Sequence, residues 1–334
     1  MRYFVTGATG FIGGRIAGQL RAAGHEVVAL ARDPARATEL RALGVTVHQG
    51  DITDRESLRA PMTGVDGVFH VAAWYKIGAR DHRAALPINV QGTANVLTMM
   101  RELGVPKGVY TSTLAVFGDT GGRLVDEAYR AGGPWLSEYD HTKWLAHYQV
   151  AEPLIREGLP LVIVQPGLVY GPGDEGVSHD TFVQYLRRQL PASPRDTAFC
   201  WGHVDDTARG HLLAMEHGRV GESYIIAGPS HSLIEALAVM EQLTGIPAPR
   251  LHPAPGVLRA AAAVLDIIGR VVPLPESYTG ENLRVVAGTT YTGSNARARR
   301  ELGFTARPLE DGLRETLAWE MRQLGLPLPP GLVA

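Results

Sequence analysis

The stretch Thr6-Gly7-Ala8-Thr9-Gly10-Phe11-Ile12-Gly13 decides the fold. It follows a short apolar run, Tyr3 to Thr6, and opens a helical pattern, Phe11 to Ala23. Glycine is needed where the chain turns tightly out of a strand, where backbone must approach a pyrophosphate and where helix meets strand. The helix N-terminus adds unpaired N–H groups and a partial positive charge. The spacing is GxxGxxG, whereas the commoner fingerprint is GxGxxG, and a glycine triplet by itself serves an ordinary strand-to-helix turn equally well. Its place between the first strand and the first helix makes Gly7, Thr9, Gly10, Phe11, Ile12 and Gly13 the expected seat of a dinucleotide.

Outward from this turn the first half of the chain keeps one rhythm: a short β-branched run, a turn, then a helical pattern. That alternation signals βαβ units and a parallel sheet. Strands are expected at Tyr3 to Thr6, Val27 to Ala31, Val45 to His48, Gly67 to Val71, Gly108 to Ser112 and Leu161 to Gln165. Helices are expected at Phe11 to Ala23, Ala35 to Leu43, Asp54 to Met62, Ile88 to Leu103 and Ser137 to Glu157. The expected fold is therefore α/β, a Rossmann-type doubly wound parallel sheet with a smaller C-terminal substrate domain. After Pro166 the rhythm gives way to Pro/Gly-rich loops. Two β-like runs, Ala198 to Val204 and Ser223 to Ala227, could return to the first sheet. The expected division is 1–166 with 198–228 for the dinucleotide domain, and 167–197 with 229–334 for the substrate domain.

In such a sheet the end of the second strand meets the adenosine ribose, where an acid suits a 2′-hydroxyl and an arginine a 2′-phosphate. Arg32 comes first there, Asp33 adjoins, and Arg36 follows one helical turn later. This order favours NADP(H) and leaves NAD open. Asp51 and Ile52, just past the third strand, are placed for the adenine, with a plain helix cap expected at Thr53 or Asp54 instead.

Tyr139 and Lys143 form the chain's one Tyr-x-x-x-Lys, a spacing that puts both on one helix face. Ser137 is a plausible N-cap, with Asp140 in the capping-box position. A phenol with a pKa of about 10 holds its proton too tightly to exchange it easily near neutrality, and a neighbouring ammonium would lower that value. A half-buried tyrosine beside a snorkelling lysine is the plainer alternative. Hydroxyls for a third partner come from Thr111, Ser112 and Thr113, at the end of a neighbouring strand.

Composition narrows the class. The 334 residues are 45% hydrophobic and 20% charged, as in a soluble globular protein. With Lys+Arg 32 against Asp+Glu 34, no basic excess suits a nucleic acid or an anionic membrane. Lysine is scarce, at Lys76, Lys107 and Lys143 only. Cys200 is alone, so no internal disulfide can form, and a cytoplasmic setting is expected. The N-terminus does not read as a signal peptide. The most apolar later stretch, Val257 to Val272, is interrupted by Arg259, Asp266 and Arg270 and reads as an amphipathic helix.

Taken in order, these motifs resemble the extended short-chain dehydrogenase/reductase superfamily, in its dihydroflavonol-reductase-like and sugar-epimerase-like branch. The matches are TGATGFIG at 6 to 13, GDITD at 50 to 54, VFHVAA at 68 to 73, NVQGTANVL at 89 to 97, VYTSTLAVFG at 109 to 118, YDHTK at 139 to 143, QPGLVYGPGD at 165 to 174 and HVDDTARGHLLAME at 203 to 216, with RARRELGF at 297 to 304. The resemblance implies that Tyr139 is the general acid/base and that Lys143 lowers its pKa and holds the nicotinamide ribose. It also implies that Thr113 bonds the substrate oxygen, with Ser112 as fallback. Ala72 and Ala73 would line the cofactor, Pro166 and Val169 would meet the nicotinamide, and Asn89 would support the polar network or cap a helix. A homodimer through the helices Ile88 to Leu103 and Ser137 to Glu157 is implied as well. Three positions depart from the family pattern: Thr113 where serine is commoner, Gln165 where arginine is frequent, and His147 where glutamate often stands.

His203, Asp205, Asp206 and His211 invite a metal reading, but the HVDD pattern covers them and no metal is expected. Trp74, Tyr75, Trp135, Tyr170, Phe182 and Trp201 fall in segments expected near the substrate mouth, although aromatics are more often core. The leading expectation is an NADP(H)-dependent oxidoreductase acting on a small-molecule carbonyl or secondary alcohol. An NAD-dependent nucleotide-sugar epimerase or dehydratase would need cations for a diphosphate, with Arg187, Arg188 and Arg195 as candidates. A cofactor-sensing protein without turnover would have no need of the Tyr/Lys pair.

Overall fold

A computed structural model describes residues 1–269 and 279–332. Seven strands form the main sheet: β1 (Arg2–Thr6), β2 (Glu26–Ala31), β3 (Thr46–Gln49), β4 (Gly67–His70), β5 (Gly108–Thr111) and β6 (Leu161–Gln165), then β9 (Ser223–Ile225) after two strands that lie elsewhere. Their order is β3-β2-β1-β4-β5-β6-β9, and every neighbouring pair is parallel. Both faces are covered, so successive residues of one strand enter different cores. Tyr3 and Val5 pack with Ile16 and Leu20 of the first helix, whereas Phe4 packs with Val68, Met99 and Tyr110 on the other side. This two-sided burial is why the strands read as unbroken apolar runs.

Of the two late β-like runs, the one containing Ser223–Ile225 joins this sheet beside β6. The other does not. β8 (Ala198–His203) pairs parallel with β7 (Leu168–Tyr170), antiparallel with β10 (Ser230–Ser232) and parallel with β11 (Thr290–Tyr291). The edge of the main sheet beside β6 is filled by β9, so β8 finds its partners in a second sheet. A third core lies behind it, built from Tyr170, Phe182, Trp201, Leu237, Leu313 and Leu317.

Among the described residues, two helices contain π segments. The expected Ser137 to Glu157 helix is α over Glu138–Trp144, widens to π over Leu145–Ala151 and returns to α over Glu152–Arg156. The Ile88 to Leu103 helix likewise begins as a π segment, Pro87–Gly92, before Thr93–Glu102. Such segments re-aim side chains and recur at functional sites. The expected helices Ala35 to Leu43 and Asp54 to Met62 are each a 3₁₀ turn followed by one short α turn. The apolar stretch from Val257 is a helix over Pro255–Gly269 that leaves Val257, Val264, Ile267 and Ile268 exposed; its expected end at Val272 lies outside the described residues. Among the described residues no helix is long and apolar enough to cross a membrane.

Candidate active site

The strand order reverses between β1 and β4, and a crevice at the carboxyl ends of such strands is where open α/β sheets take ligands. A cleft of about 1390 Å³ opens there. It is lined by all the residues expected from sequence to meet cofactor or substrate oxygen: the turn from Gly7 to Gly13, Arg32 and Arg36, Asp51 and Ile52, Ala72 and Ala73, Thr113, Tyr139, Lys143, Pro166 and Val169. Asn89 is not among its lining.

The glycine turn is tight for reasons visible atom by atom. Gly7 has φ +69°, and a Cβ there would lie 2.7 Å from the backbone nitrogen of Ala72 at the end of β4. A Cβ on Gly13 would lie 2.1 Å from the Gly7 carbonyl oxygen. Only glycines let the two strand ends and the helix start come this close, which leaves the helix N-terminus facing the cleft. At the end of β2, Arg32 and Arg36 are exposed and line the cleft, while the Asp33 carboxylate accepts from the Ala35 N–H at 3.0 Å and caps the turn Pro34–Arg36. Asp51 accepts from both the N–H and the hydroxyl of Thr53, and the cap of the following turn is Asp54, which accepts from the Glu56 N–H.

Ser137 caps the Glu138–Trp144 helix, accepting from the Asp140 N–H at 3.1 Å. Tyr139 and Lys143 follow on one face, the phenol half-buried and the ammonium 2% exposed. Lys143 donates to the Thr111 carbonyl at 2.7 Å and to the Tyr110 hydroxyl at 3.2 Å. No hydrogen bond joins it to Tyr139 among the described residues: a buried ammonium takes the nearest strong acceptor, which here is the carbonyl at the end of β5. Burial pushes the Tyr139 phenol up, with the neighbouring Tyr75 adding to the rise and the Thr113 hydroxyl opposing it. Burial pushes Lys143 down to about 7. Thr113 accepts from the Ala115 N–H at 3.2 Å, and its own hydroxyl faces the Tyr139 phenol. The hydroxyl of Ser112 is instead engaged by His147 Nδ1 at 2.7 Å, a bond that the π segment Leu145–Ala151 brings into reach.

The lysine's titration carries a stability signature. Its folded pKa lies below the unfolded value, so the protonated form is penalised in the folded state. That penalty is full below pH about 7 and fades as pH rises toward the unfolded value. The stability of the wild type relative to Lys143→Met should therefore increase between pH 7 and 10, read as a difference in Tm. A flat difference across that range would contradict the buried ammonium.

Asn89 lies within its π segment rather than at a helix cap. It accepts from the Trp74 N–H at 2.7 Å and donates to the Trp74 carbonyl at 3.0 Å and the Thr142 hydroxyl at 2.9 Å. Of the aromatics expected near the mouth, Tyr75 alone lines the cleft, its ring 4.8 Å edge-on from that of Tyr139. Trp74 is buried beneath it, and Tyr170, Phe182 and Trp201 belong to the third core. Sequence reasoning missed Phe199 and Tyr291, which lie parallel at 6.1 Å in the cleft wall. The Tyr291 hydroxyl donates at 2.8 Å to Asp140, whose carboxyl burial raises to about 6. Phe199 and Tyr291 sit on strands of the second sheet, and no local motif marks them.

Of the histidines and acids weighed for a metal, His211 is fully buried between the Thr111 hydroxyl and the Thr207 carbonyl. Asp206 is bidentate with Arg307. His203, Asp205 and Glu315 do approach one another, and Arg307 already places its positive charge on Glu315.

Fold and cleft together define an α/β enzyme built around a nicotinamide dinucleotide. The chain belongs to the NAD dependent epimerase/dehydratase family, whose model matches residues 3–227. It is an NAD(P)-dependent oxidoreductase of the extended short-chain dehydrogenase/reductase type. It is 33% identical over 330 residues to a protein of Synechocystis sp. named "Putative dihydroflavonol 4-reductase", covering 95% of this chain and 94% of that one. It is 32% identical to the 4-hydroxy-2-methyl-3-oxo-4-farnesyl-3,4-dihydroquinoline-1-oxide ketoreductase of Stigmatella aurantiaca, covering 92% of each. Among solved structures, the crystal structure of gox2253 superposes with a TM-score of 0.83 at 31% identity, covering 97% of this chain and 98% of that one.

Proposed function

We propose that this enzyme uses NADPH to reduce the carbonyl of an apolar aldehyde or ketone, or runs the matching alcohol oxidation. One observation carries this choice over a nucleotide-sugar epimerase: where the cations lie. The arginines and lysine that line the cleft are Arg15, Arg32, Arg36 and Lys143. Arg15 is on the helix that follows the glycine turn, Arg32 and Arg36 follow β2, and Lys143 is buried behind Tyr139. The opposite wall, formed by Tyr75, Ile77, Val177, Phe199, Val285 and Tyr291, offers no guanidinium among the described residues. Arg187, Arg188 and Arg195 are exposed and outside the cleft. A sugar diphosphate needs charge-assisted donors on that side, whereas an apolar carbonyl compound does not.

The glycine turn would seat the pyrophosphate, Asp51 and Ile52 the adenine, and Arg32 with Arg36 a 2′-phosphate. Asp33 is held on its own cap, and the cleft is lined at that corner by the two cations Arg32 and Arg36, with the Glu39 carboxylate beside them. Bound there, reduced nicotinamide supplies a hydride to the substrate carbon. Tyr139, kept protonated by its burial, donates its phenolic proton to the oxygen that gains the electron pair, and Thr113 orients that oxygen with a hydrogen bond. Lys143, which holds the Thr111 carbonyl and lines the cleft, would also reach the ribose hydroxyls with its ammonium.

The test follows reduced-nicotinamide absorbance with cinnamaldehyde, acetophenone, 2-heptanone and UDP-glucose, each with NADPH and NADH. Turnover of a carbonyl compound with NADPH supports the reading. Tightly held NAD and interconversion of UDP-sugars without net cofactor consumption would replace it. Charge-assisted hydrogen bonds of about 1.5–3 kcal/mol set the size of the cofactor effect. Arg32→Ala with Arg36→Ala should raise KM for NADPH about 10–100-fold, leaving KM for NADH within a few-fold. Equal losses with both cofactors would reject the 2′-phosphate role.

A further inference from the structure

Glu281 belongs to the short helix Gly280–Val285 of the C-terminal region, far in sequence from the Tyr/Lys pair, and no motif singled it out. Its two carboxylate oxygens take different jobs. Oε1 accepts from the N–H of Glu138, the first residue of the helix that carries Tyr139, at 2.9 Å. Oε2 accepts from the N–H of Gly78 at 3.0 Å, in the loop that leaves β4. His82 Nε2 stands 3.9 Å from the same oxygen.

That loop is fastened a second time. Asn89 holds both backbone groups of Trp74 and reaches the Thr142 hydroxyl, one turn along the same helix from Glu138. The segment Trp74 to Gly78 is thus pinned to the helix at both ends, by Asn89 below and by Glu281 above. Between the pins lie Tyr75 and Ile77, which line the cleft, and the Tyr75 ring meets that of Tyr139 edge-on at 4.8 Å. A carboxylate on the exposed N–H groups of a helix start is favourable in itself. Here the second oxygen turns that favourable contact into a bridge between two segments.

We propose that Glu281 is a positioning residue: by tying Gly78 to Glu138 it fixes the Tyr75 wall against Tyr139 and so sets where the carbonyl oxygen rests. The inference relies on the reading of Tyr139 as the proton donor. Misplacing reacting groups by an ångström costs up to about 10²-fold in rate. Glu281 bonds neither Tyr139 nor Tyr75 directly, so it acts on them through the two backbone segments it joins, the loop at Gly78 and the helix start at Glu138.

Glu281→Gln keeps the size of the side chain but leaves one acceptor oxygen for two N–H groups. Hydrogen exchange of the free protein should then quicken together in peptides covering 75–79 and 137–140, with the β1 and β2 peptides unchanged. With NADPH and the carbonyl compound turned over fastest in the panel above, kcat should fall about tenfold while KM for NADPH stays within twofold. Tyr75→Ala should cost a similar factor, and the double variant no more than Tyr75→Ala alone, because both act on one wall. Should Glu281→Gln not fold, Glu281→Asp, a methylene too short to span both amides, is read in the same way. Losses that multiply in the double variant, or exchange that quickens at only one of the two segments, would overturn the proposal. Tyr139→Phe assayed alongside separates the two readings. If it retains the wild-type rate, the proton-donor assignment falls; if it is inactive while the Tyr75 and Glu281 losses multiply, only the role of Glu281 falls.

Discussion

Tyr139→Phe should lower kcat for carbonyl reduction by about 10²–10⁴-fold while the dissociation constant for NADPH stays within about twofold. The substitution removes one hydroxyl and nothing else. The ring remains, half-buried, with its edge contact to Tyr75, so the cleft wall keeps its shape. The glycine turn and the two arginines lie at other corners of the cleft and do not depend on the phenol. A large loss in kcat without a loss in cofactor affinity is the pattern of a group used only as the proton moves. Thr113→Val should cost less, about tenfold, because it removes an orienting hydrogen bond but not the proton donor, and Thr113→Ser should recover most of the rate. Cofactor affinity is followed by NADPH fluorescence and rate by absorbance. A Tyr139→Phe protein that reduces its substrate at the wild-type rate would remove the acid/base assignment and return the cofactor-sensing alternative to first place.

The parts of this site that could be read from the sequence are those whose physics is local. A glycine at φ +69°, a Tyr and a Lys one turn apart and an arginine after the second strand each announce themselves within a few residues. What could not be read depends on partners distant along the chain. Lys143 was expected to face the phenol, but its nearest acceptor is a backbone carbonyl, Thr111, which has no sequence signature. β8 was expected to return to the main sheet. Its pairing with β7, β10 and β11, strands of two or three residues, is set by tertiary fit rather than by any alternating pattern. Phe199 and Tyr291 reach the cleft only through that second sheet. His147 departs from the family pattern for a reason the structure supplies: the widened helix turn lets the imidazole hold Ser112, and burial keeps it neutral by pulling its pKa down.

Gly13→Ala should weaken NADPH binding by more than about 10²-fold and lower the Tm by several degrees, even though alanine is the better helix former by about 1 kcal/mol. The added Cβ would meet the Gly7 carbonyl oxygen at 2.1 Å, the Gly7 carbonyl carbon at 2.6 Å and the Ala8 Cα at 3.0 Å. All three are backbone, so no side-chain rotation relieves the overlap. Gly7 has little room to yield, because the space where its own Cβ would stand is already closed by the backbone of Ala72, 2.7 Å from that position, and moving it pushes β1 against the end of β4. The helix start must back away from the strand, at an overpacking cost of about 1–3 kcal/mol, and the N–H groups that would face a pyrophosphate move with it. Gly18→Ala is the matched control on the same helix. A Cβ there meets nothing closer than the Leu43 Cδ1 at 4.0 Å, so this variant should gain up to about 1 kcal/mol of stability and leave NADPH affinity unchanged. Thermal unfolding and NADPH titration of the two variants together separate helix propensity from the seat of the dinucleotide. Equal, unaltered affinity in both would mean that the cofactor does not rest on this turn.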